Sequence, residues 1–371
     1  MSGTESPEDR IRRLFEEKRK EYAAHDLTLN ALAALSFILE SVKEIKYETI
    51  DRDFRPRLAP PAPGADPYTP DGVVWQKPSY SFLLELKTSW NETDVTQIVK
   101  YAKSPGRLRR DNTIQAFGEN HCVLLGYQNT PGDSDLEKLF ARWEKEGFGF
   151  PLVVFRYGLE QAPDENRISI SRVAYRRNGE CPPSYLGKIM NSARGISVSA
   201  SSFKFVRSKF HKANDQVIAS YAAVLWWTDY AEHYLTDDQK AEMAARGHLS
   251  SPLVIPVDKL DEIPVLPDTE VPLGARDVKH AMEFLRQAEL VTLKKRARVY
   301  EIELKEDRYI RLPIGTPLDR SNIQQELATK IIARWAEYSV KRPVPAGSQK
   351  AKIRKPRRRK TRDSGSGFLF P

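Results

Sequence analysis

The apolar positions change period several times along the chain, and each change marks an element. Residues 7–23 are densely charged and read as an exposed helix, whereas LNALAALSFILESVKEI (Leu29–Ile45) reads as a strongly apolar helix suited to packing on a sheet. RPRLAPPAPGADPY is proline-rich and reads as a loop. DGVVW and SYSFLLELK read as two strands joined by a QKP turn, and NETDVTQIVKYA as a helix capped by Asn91 or Thr93. A basic loop, SPGRLRRDN, comes next. HCVLLGYQ is a short apolar strand, SDLEKLFARWEKEG an amphipathic helix with Ser134 at its start and Gly147 at its stop, and FPLVVFRYGL another strand. The order helix, strand, strand, helix, strand, helix, strand predicts an α/β unit over residues 27–160, with a central mixed sheet flanked by helices.

The remainder is less regular. NRISISRVAYRR alternates as a strand does, and DQVIASYAAVLWWTDYAEHYL, apolar nearly all round, predicts a long buried helix. LSSPLVIPVDKLDEIPVLPDTEVP holds five prolines and reads as a linker. A helix ending near Glu289 is then followed by two alternating strands around Lys305–Asp307. A helix followed by a hairpin is how a winged helix-turn-helix ends, and unrelated α+β pieces share the pattern. SNIQQELATKIIARWAEYS is the last helix. There is no internal repeat. The expected division is an N-terminal helix (1–26), the α/β unit (27–160), a middle α+β region (161–250), a Pro-rich linker (251–272), a winged helix (273–340) and a basic disordered tail (341–371).

Composition narrows the classes of function. At 371 residues, 40% apolar and 29% charged, the chain is long enough for a large core. No run approaches the ~18 apolar residues of a membrane span, so no membrane partner is expected. The N-terminus lacks the apolar core of a signal peptide, which points to a cytoplasmic, nucleoid-associated protein, or a nuclear one in a eukaryote. Cys122 and Cys181 form neither a disulfide framework nor a zinc spacing, and Cys122, inside an apolar run, reads as a buried thiol. The six histidines are scattered, and no glycine-rich phosphate loop is present.

Charge adds a partner. Net charge is +9, and KAKIRKPRRRKTR (Lys350–Arg362) carries nine Lys and Arg with no acid, leaving the rest close to neutral. Such a tail, with Arg357, Arg358 and Arg359 at its centre, suits a polyanion, DNA above all; a solvated tail gives the same letters. Arg107, Arg109 and Arg110 of the basic loop could likewise hold phosphates. In SFKFVRSKFHK, Lys204 and Lys209 interleave with phenylalanines as in single-strand binders, and an amphipathic strand would read alike. The closing DSGSGFLFP reads as a flexible spacer with a short apolar end.

Three residues carry chemistry. Positions two apart on a strand share a face, so Glu85 and Lys87 project together from the end of FLLELK. The partner strand begins at Asp71, which brings a second carboxylate beside Glu85 when the register allows. Two converging carboxylates repel unless a cation lies between them, and hard oxygen donors suit Mg²⁺ or Mn²⁺. A lysine alongside can orient the attacking water or neutralise charge at phosphorus. An edge hairpin with a solvated Glu–Lys pair accounts for the same letters.

Pro70-Asp71, then Glu85-x-Lys87, then Gln97-xxx-Tyr101 on the following helix resemble the PD-(D/E)xK nuclease superfamily, in its RecB-like or TnsA-like endonuclease branch. The resemblance covers roughly residues 27–160. It implies a restriction-endonuclease-like core and a metal-dependent nuclease cleaving DNA, with Asp71 and Glu85 as ligands of Mg²⁺ (or Mn²⁺), Lys87 handling the water, and Gln97 and Tyr101 on one helical face beside them. It also implies a carboxylate from the first core helix, matched by Glu40 and secondarily by Glu44. The proline-rich stretch before Asp71 departs from the compact path of the RecB-like branch. Enzymes of this type often cut as homodimers and work with a protein partner in defence, repair or transposition. The competing expectation is a DNA-binding regulator or scaffold that uses the winged helix and the basic tail without cleaving.

Overall fold

The computed structural model describes residues 5–41, 47–51, 71–76, 80–103, 107–110, 113–116, 120–147, 151–161, 166–176, 185–192, 195–202, 217–261, 273–302 and 320–341. The expected α/β class is what it shows: a mixed sheet flanked by helices.

The chain opens with one helix, α1 (Pro7–Ser41), where two were expected. The linking segment AAHDLT contains no glycine or proline to stop it, and Thr28 returns its hydroxyl to the Ala24 carbonyl at 3.1 Å inside the helix. Strands β1 (Tyr47–Asp51), β2 (Gly72–Gln76) and β3 (Tyr80–Lys87) follow, then helix α2 (Glu92–Lys103). The predicted basic loop is instead a two-stranded ribbon: β4 (Arg107–Arg110) pairs antiparallel with β5 (Thr113–Ala116). Next come β6 (Asn120–Tyr127), α3 (Asp133–Lys145), β7 (Leu152–Gln161), β8 (Asn166–Arg176), α4 (Tyr185–Asn191) and β9 (Ile196–Ser199). Gly132, not Ser134, holds the N-cap position of α3; Ser134 lies within the first turn, between Asp133 and Asp135. Gly147, in the left-handed region at φ 69°, follows the helix as expected.

Seven strands form the main sheet in the order β1-β2-β3-β6-β7-β8-β9. The central three, β3, β6 and β7, run parallel, and the flanking pairs are antiparallel. Parallel centre strands are covered on both faces, hence FLLEL, CVLLGY and LVVF read as unbroken apolar runs. Alternation divides them between two cores. Phe82, Leu84, Leu86, Cys122, Leu124, Val153, Phe155 and Tyr157 face α1 and the C-terminal helices. Leu83, Val123, Leu125, Tyr127, Leu152 and Val154 face α2 and α3.

The α1 side of the sheet continues into the C-terminal half. The predicted long helix is broken into α5 (Ala219–Leu225), a π-helical turn (Trp226–Tyr230) and a 3₁₀ turn (Ala231–Tyr234). Trp226, Trp227 and Tyr230 are all buried. A wider turn is one way to seat such rings in a single core. After α6 (Asp237–Arg246), the Pro-rich segment contributes structure of its own: β10 (Leu253–Pro256) and a 3₁₀ turn (Val257–Asp261). Then come α7 (Ala275–Gln287), β11 (Val291–Lys294), β12 (Val299–Ile302) and α8 (Arg320–Lys341). The hairpin between β11 and β12 turns at Lys295–Arg298; Lys305–Asp307 lies outside the described residues. Val-Thr-Leu and Val-Tyr-Glu-Ile alternate as well as the later residues do, and Arg298, at φ 52°, occupies the left-handed position of the turn. β10 pairs with β12 to give a second antiparallel sheet, ordered β10-β12-β11.

Gly126 pairs with Leu86 in the ladder. A Cβ there would stand 2.5 Å from Phe155 Cζ and 2.6 Å from Leu86 Cδ2, and both neighbours are buried. Gly126→Ala is therefore expected to lower unfolding free energy by about 1–3 kcal/mol, as read by urea denaturation.

Candidate functional site

The site forms where β2 ends and β3 continues. Gly72, the first residue of β2, faces Leu84 in the antiparallel register, and the next donor on that edge of β3 is the Leu86 N–H. Asp71 Oδ2 accepts that N–H at 2.7 Å. The carboxylate thus completes the ladder and is held beside the Glu85 position. The far side of β3 is fixed too: Gln128 N–H donates to the Lys87 carbonyl at 3.0 Å, continuing the pairing with β6.

Glu85 and Lys87 point to the α2 face, because their parity is that of Leu83. Helix α2 brings Gln97 to them. Its start is set by a reciprocal cap: Asn91 Oδ1 accepts the Thr93 N–H, and Asp94 Oδ2 accepts the Asn91 N–H, each at 3.0 Å. Asn91 is thus the cap of the two residues predicted. Val95 and Val99 bury against the sheet, leaving Gln97 over the end of β3. Glu85 Oε1 accepts from Lys87 Nζ and, at 2.8 Å, from Gln97 Nε2. Lys87 Nζ also donates to Gln97 Oε1 at 3.0 Å. Glu85, Lys87 and Gln97 therefore close a triangle. Asp71 and Glu85 are 8% and 2% exposed, whereas the Lys87 side chain is 23% exposed and Gln97 is half-buried.

Electrostatics bind these groups further. Burial lowers the affinity of Lys87 for its proton, but Glu85, through charge and hydrogen bond, and then Asp71 and Asp94 outweigh it, so the pKa lies above that of an ordinary lysine. Asp94 is shifted up, mainly by burial, against the opposing effects of the Asn91 N–H, Lys87 and Tyr127. The Tyr127 hydroxyl donates to Asp94 Oδ2 at 3.3 Å, and burial followed by the Asp94 charge drives its pKa upward. One ammonium thus faces three carboxylates. Two buried hard-oxygen side chains with surplus negative charge are a donor set that fits a small divalent cation. Among the described residues, no group of three or more His, Cys, Asp or Glu is placed to hold a metal ion.

A second set of bonds ties this end of the sheet to α1. The Tyr157 hydroxyl donates to the Lys87 carbonyl at 3.2 Å and lies 3.2 Å from the Thr28 hydroxyl. Gln128 Nε2 donates to the Ala24 carbonyl at 2.7 Å. Asp94, Tyr127, Tyr157, Thr28 and Gln128 were not anticipated as parts of the site. Asp94 carries a readable signal, its spacing of three from Asn91; Tyr127, Gln128 and Tyr157 come in through the parallel register, and Thr28 through the packing of α1 on the sheet.

The structure brings together Asp71, Glu85, Lys87 and Gln97. Tyr101 lies on α2 one turn beyond Gln97, and Glu40 in the last turn of α1, on the helix that covers the opposite face of the sheet; their side chains lie outside what is described. The same holds for the side chains of Arg107, Arg109 and Arg110, which occupy β4 and not a loop. Glu44, Lys204, Lys209, Arg357, Arg358 and Arg359 lie outside the described residues. Comparison with protein-family models, curated proteins and solved structures returns no match.

Burial raises the Tyr157 phenol from the ordinary 10.0 to about 12, against the lowering hydrogen bonds of Thr28 and Gln128. A raised folded-state value favours the neutral form in the native protein. The resulting stability is fully present below the unfolded value and is lost as pH rises through the folded one. Tyr157→Phe should cost about 1 kcal/mol at neutral pH and make the alkaline loss of stability between 10.0 and about 12 less steep than in the parent, as measured by urea denaturation across that range.

Proposed function

We propose that the chain is a Mg²⁺-dependent deoxyribonuclease, with Mn²⁺ able to replace Mg²⁺, built on a restriction-endonuclease-like core. The observation that carries this reading is the convergence of Asp71, Glu85, Lys87 and Gln97 at one end of β3. Four side chains, from β3, α2 and the residue that precedes β2, meet there with buried carboxylates, which a solvated Glu–Lys pair on an edge hairpin would not require.

Asp71 and Glu85 would hold the ion. When bound, a divalent ion supplies positive charge at the scissile phosphate and lowers the pKa of its water. Asp71 is pre-positioned by the Leu86 N–H, so its orientation is set by the sheet. Lys87 keeps its proton and offers an ammonium at the exposed rim, where a phosphate oxygen or the attacking water can be oriented. Gln97 holds both Lys87 and Glu85 by its two amide atoms, fixing their separation. DNA as the substrate is supported by the basic segments, Arg107–Arg110 and Lys350–Arg362.

Asp71→Asn keeps an acceptor for the Leu86 N–H while removing the charge, and Lys87→Gln keeps a donor while removing the cation. Each is expected to lower cleavage of plasmid and linear DNA at least about 100-fold, with folding by circular dichroism and DNA binding largely retained. EDTA should abolish cleavage by the parent chain. Parent-rate cleavage by either variant in a clean preparation, or cleavage that ignores EDTA, would refute the assignment.

A further inference from the structure

The β11–β12 hairpin ends in a tip that the nuclease reading does not use. Its sequence from 294 is Lys-Lys-Arg-Ala-Arg, four cations in five positions with no acid, and all five residues are exposed. Lys294 pairs with Glu301 of its own hairpin at 3.1 Å. The tip is braced. The Val257 N–H donates to the Arg298 carbonyl at 2.9 Å, joining the turn to the end of β10, while Leu293 and Tyr300 face each other at its base.

Arg298 stands at φ 52°. The left-handed region costs a side-chain-bearing residue roughly 1 kcal/mol, which glycine would avoid. An arginine is held in an exposed position where backbone energetics favour glycine. The chain order supplies the context. Helix α6, strand β10 with its 3₁₀ turn (Val257–Asp261), helix α7 and the β11–β12 hairpin, in a sheet ordered β10-β12-β11, form a helix-and-wing arrangement in which α7 lies beside β11 and buries Val278, Met282 and Leu285 in the shared core. The outer face of the first half of α7 adds Arg276 and Lys279, both exposed.

We propose that the tip formed by Lys295, Arg296 and Arg298 is a phosphate-contact site for duplex DNA, a wing that grips the backbone beside α7. Charge complementarity carries the choice of partner: consecutive cations on a rigid, narrow turn suit the closely spaced phosphates of a duplex. An anionic membrane would be favoured by large apolar side chains at the tip, and Ala297 is the one uncharged residue there. The proposal rests on the nuclease reading only in naming the same polymer. Binding without metal tests it separately.

The test uses the full chain in EDTA, with a fluorescent DNA duplex of about 20 base pairs followed by anisotropy over a salt series. Neutralising Lys295, Arg296 and Arg298 together, as Lys295→Ser, Arg296→Ser and Arg298→Gly, should weaken binding about 10-fold or more and make the slope of log affinity against log salt shallower by about two to three. The basic tail is present in every variant, so the difference reports the tip alone. Arg298→Gly by itself keeps the main-chain bond to Val257 and relieves the strained φ. It should leave the melting temperature unchanged or raised while reducing the salt slope by about one, so the test stands even if the triple variant does not fold. Unchanged affinity and slope in the folded variants would overturn the proposal. So would an equal loss on phosphatidylserine-containing vesicles, which would assign the tip to a membrane surface. Because no cleavage is involved, an inactive Asp71 or Lys87 site leaves this outcome untouched, and a failed wing leaves the cleavage test untouched.

Discussion

The hydrogen bond from the Leu86 N–H to Asp71 is the constraint from which the candidate site follows. A strand that outruns its partner leaves an unpaired donor, and an unpaired buried donor is costly. Asp71 satisfies it with a side chain, and in doing so a carboxylate is committed to the edge of the sheet beside Glu85. The glutamate then needs partners of its own, and Lys87 and Gln97 are what the geometry offers: one from two residues along the same strand, the other from the helix that follows it.

A cluster of this kind is poor material for stability. Replacing buried ion pairs by apolar residues is often neutral or favourable, and here one ammonium faces the charges of Asp71, Glu85 and Asp94. The helix above it could have been built on Val95 and Val99 alone, and the sheet beneath on Leu83 and Leu125. That the chain retains four polar groups among these residues is the energetic reason for reading the end of β3 as a site and not as a structural pair. Lysine also suits the place better than arginine would, since a compact ammonium can meet Glu85 and Gln97 at once from a strand position two residues away.

Much of this was legible along the chain. The order of apolar runs announced a mixed sheet flanked by helices, strand periodicity placed Glu85 and Lys87 on one face with Asp71 beside them when the register allows, and Gln97 came with the family resemblance. What was not legible depended on tertiary context. Nothing in AAHDLT says whether two helices join. The width of the turn at Trp226–Tyr230 depends on what surrounds the rings. Pro256, at the edge of the second sheet, marked a linker by composition and ends a strand in fact, since an edge strand tolerates a residue without an N–H. Tyr127 and Tyr157 reach the site because β6 and β7 lie in register with β3, and register between parallel strands leaves no local mark.

Helix α1 carries a mechanical consequence. At 35 residues it runs for about 50 Å, touching α8 through Lys18 above the Trp335 ring and the strand ends through Ala24 and Thr28. A protease nick or gene truncation between residues 26 and 27 would fall within a continuous rod, stripping away the carbonyl that anchors Gln128 and the turn that abuts the last helix. The two halves of this polypeptide share a spine and cannot be parted at that boundary with both left whole.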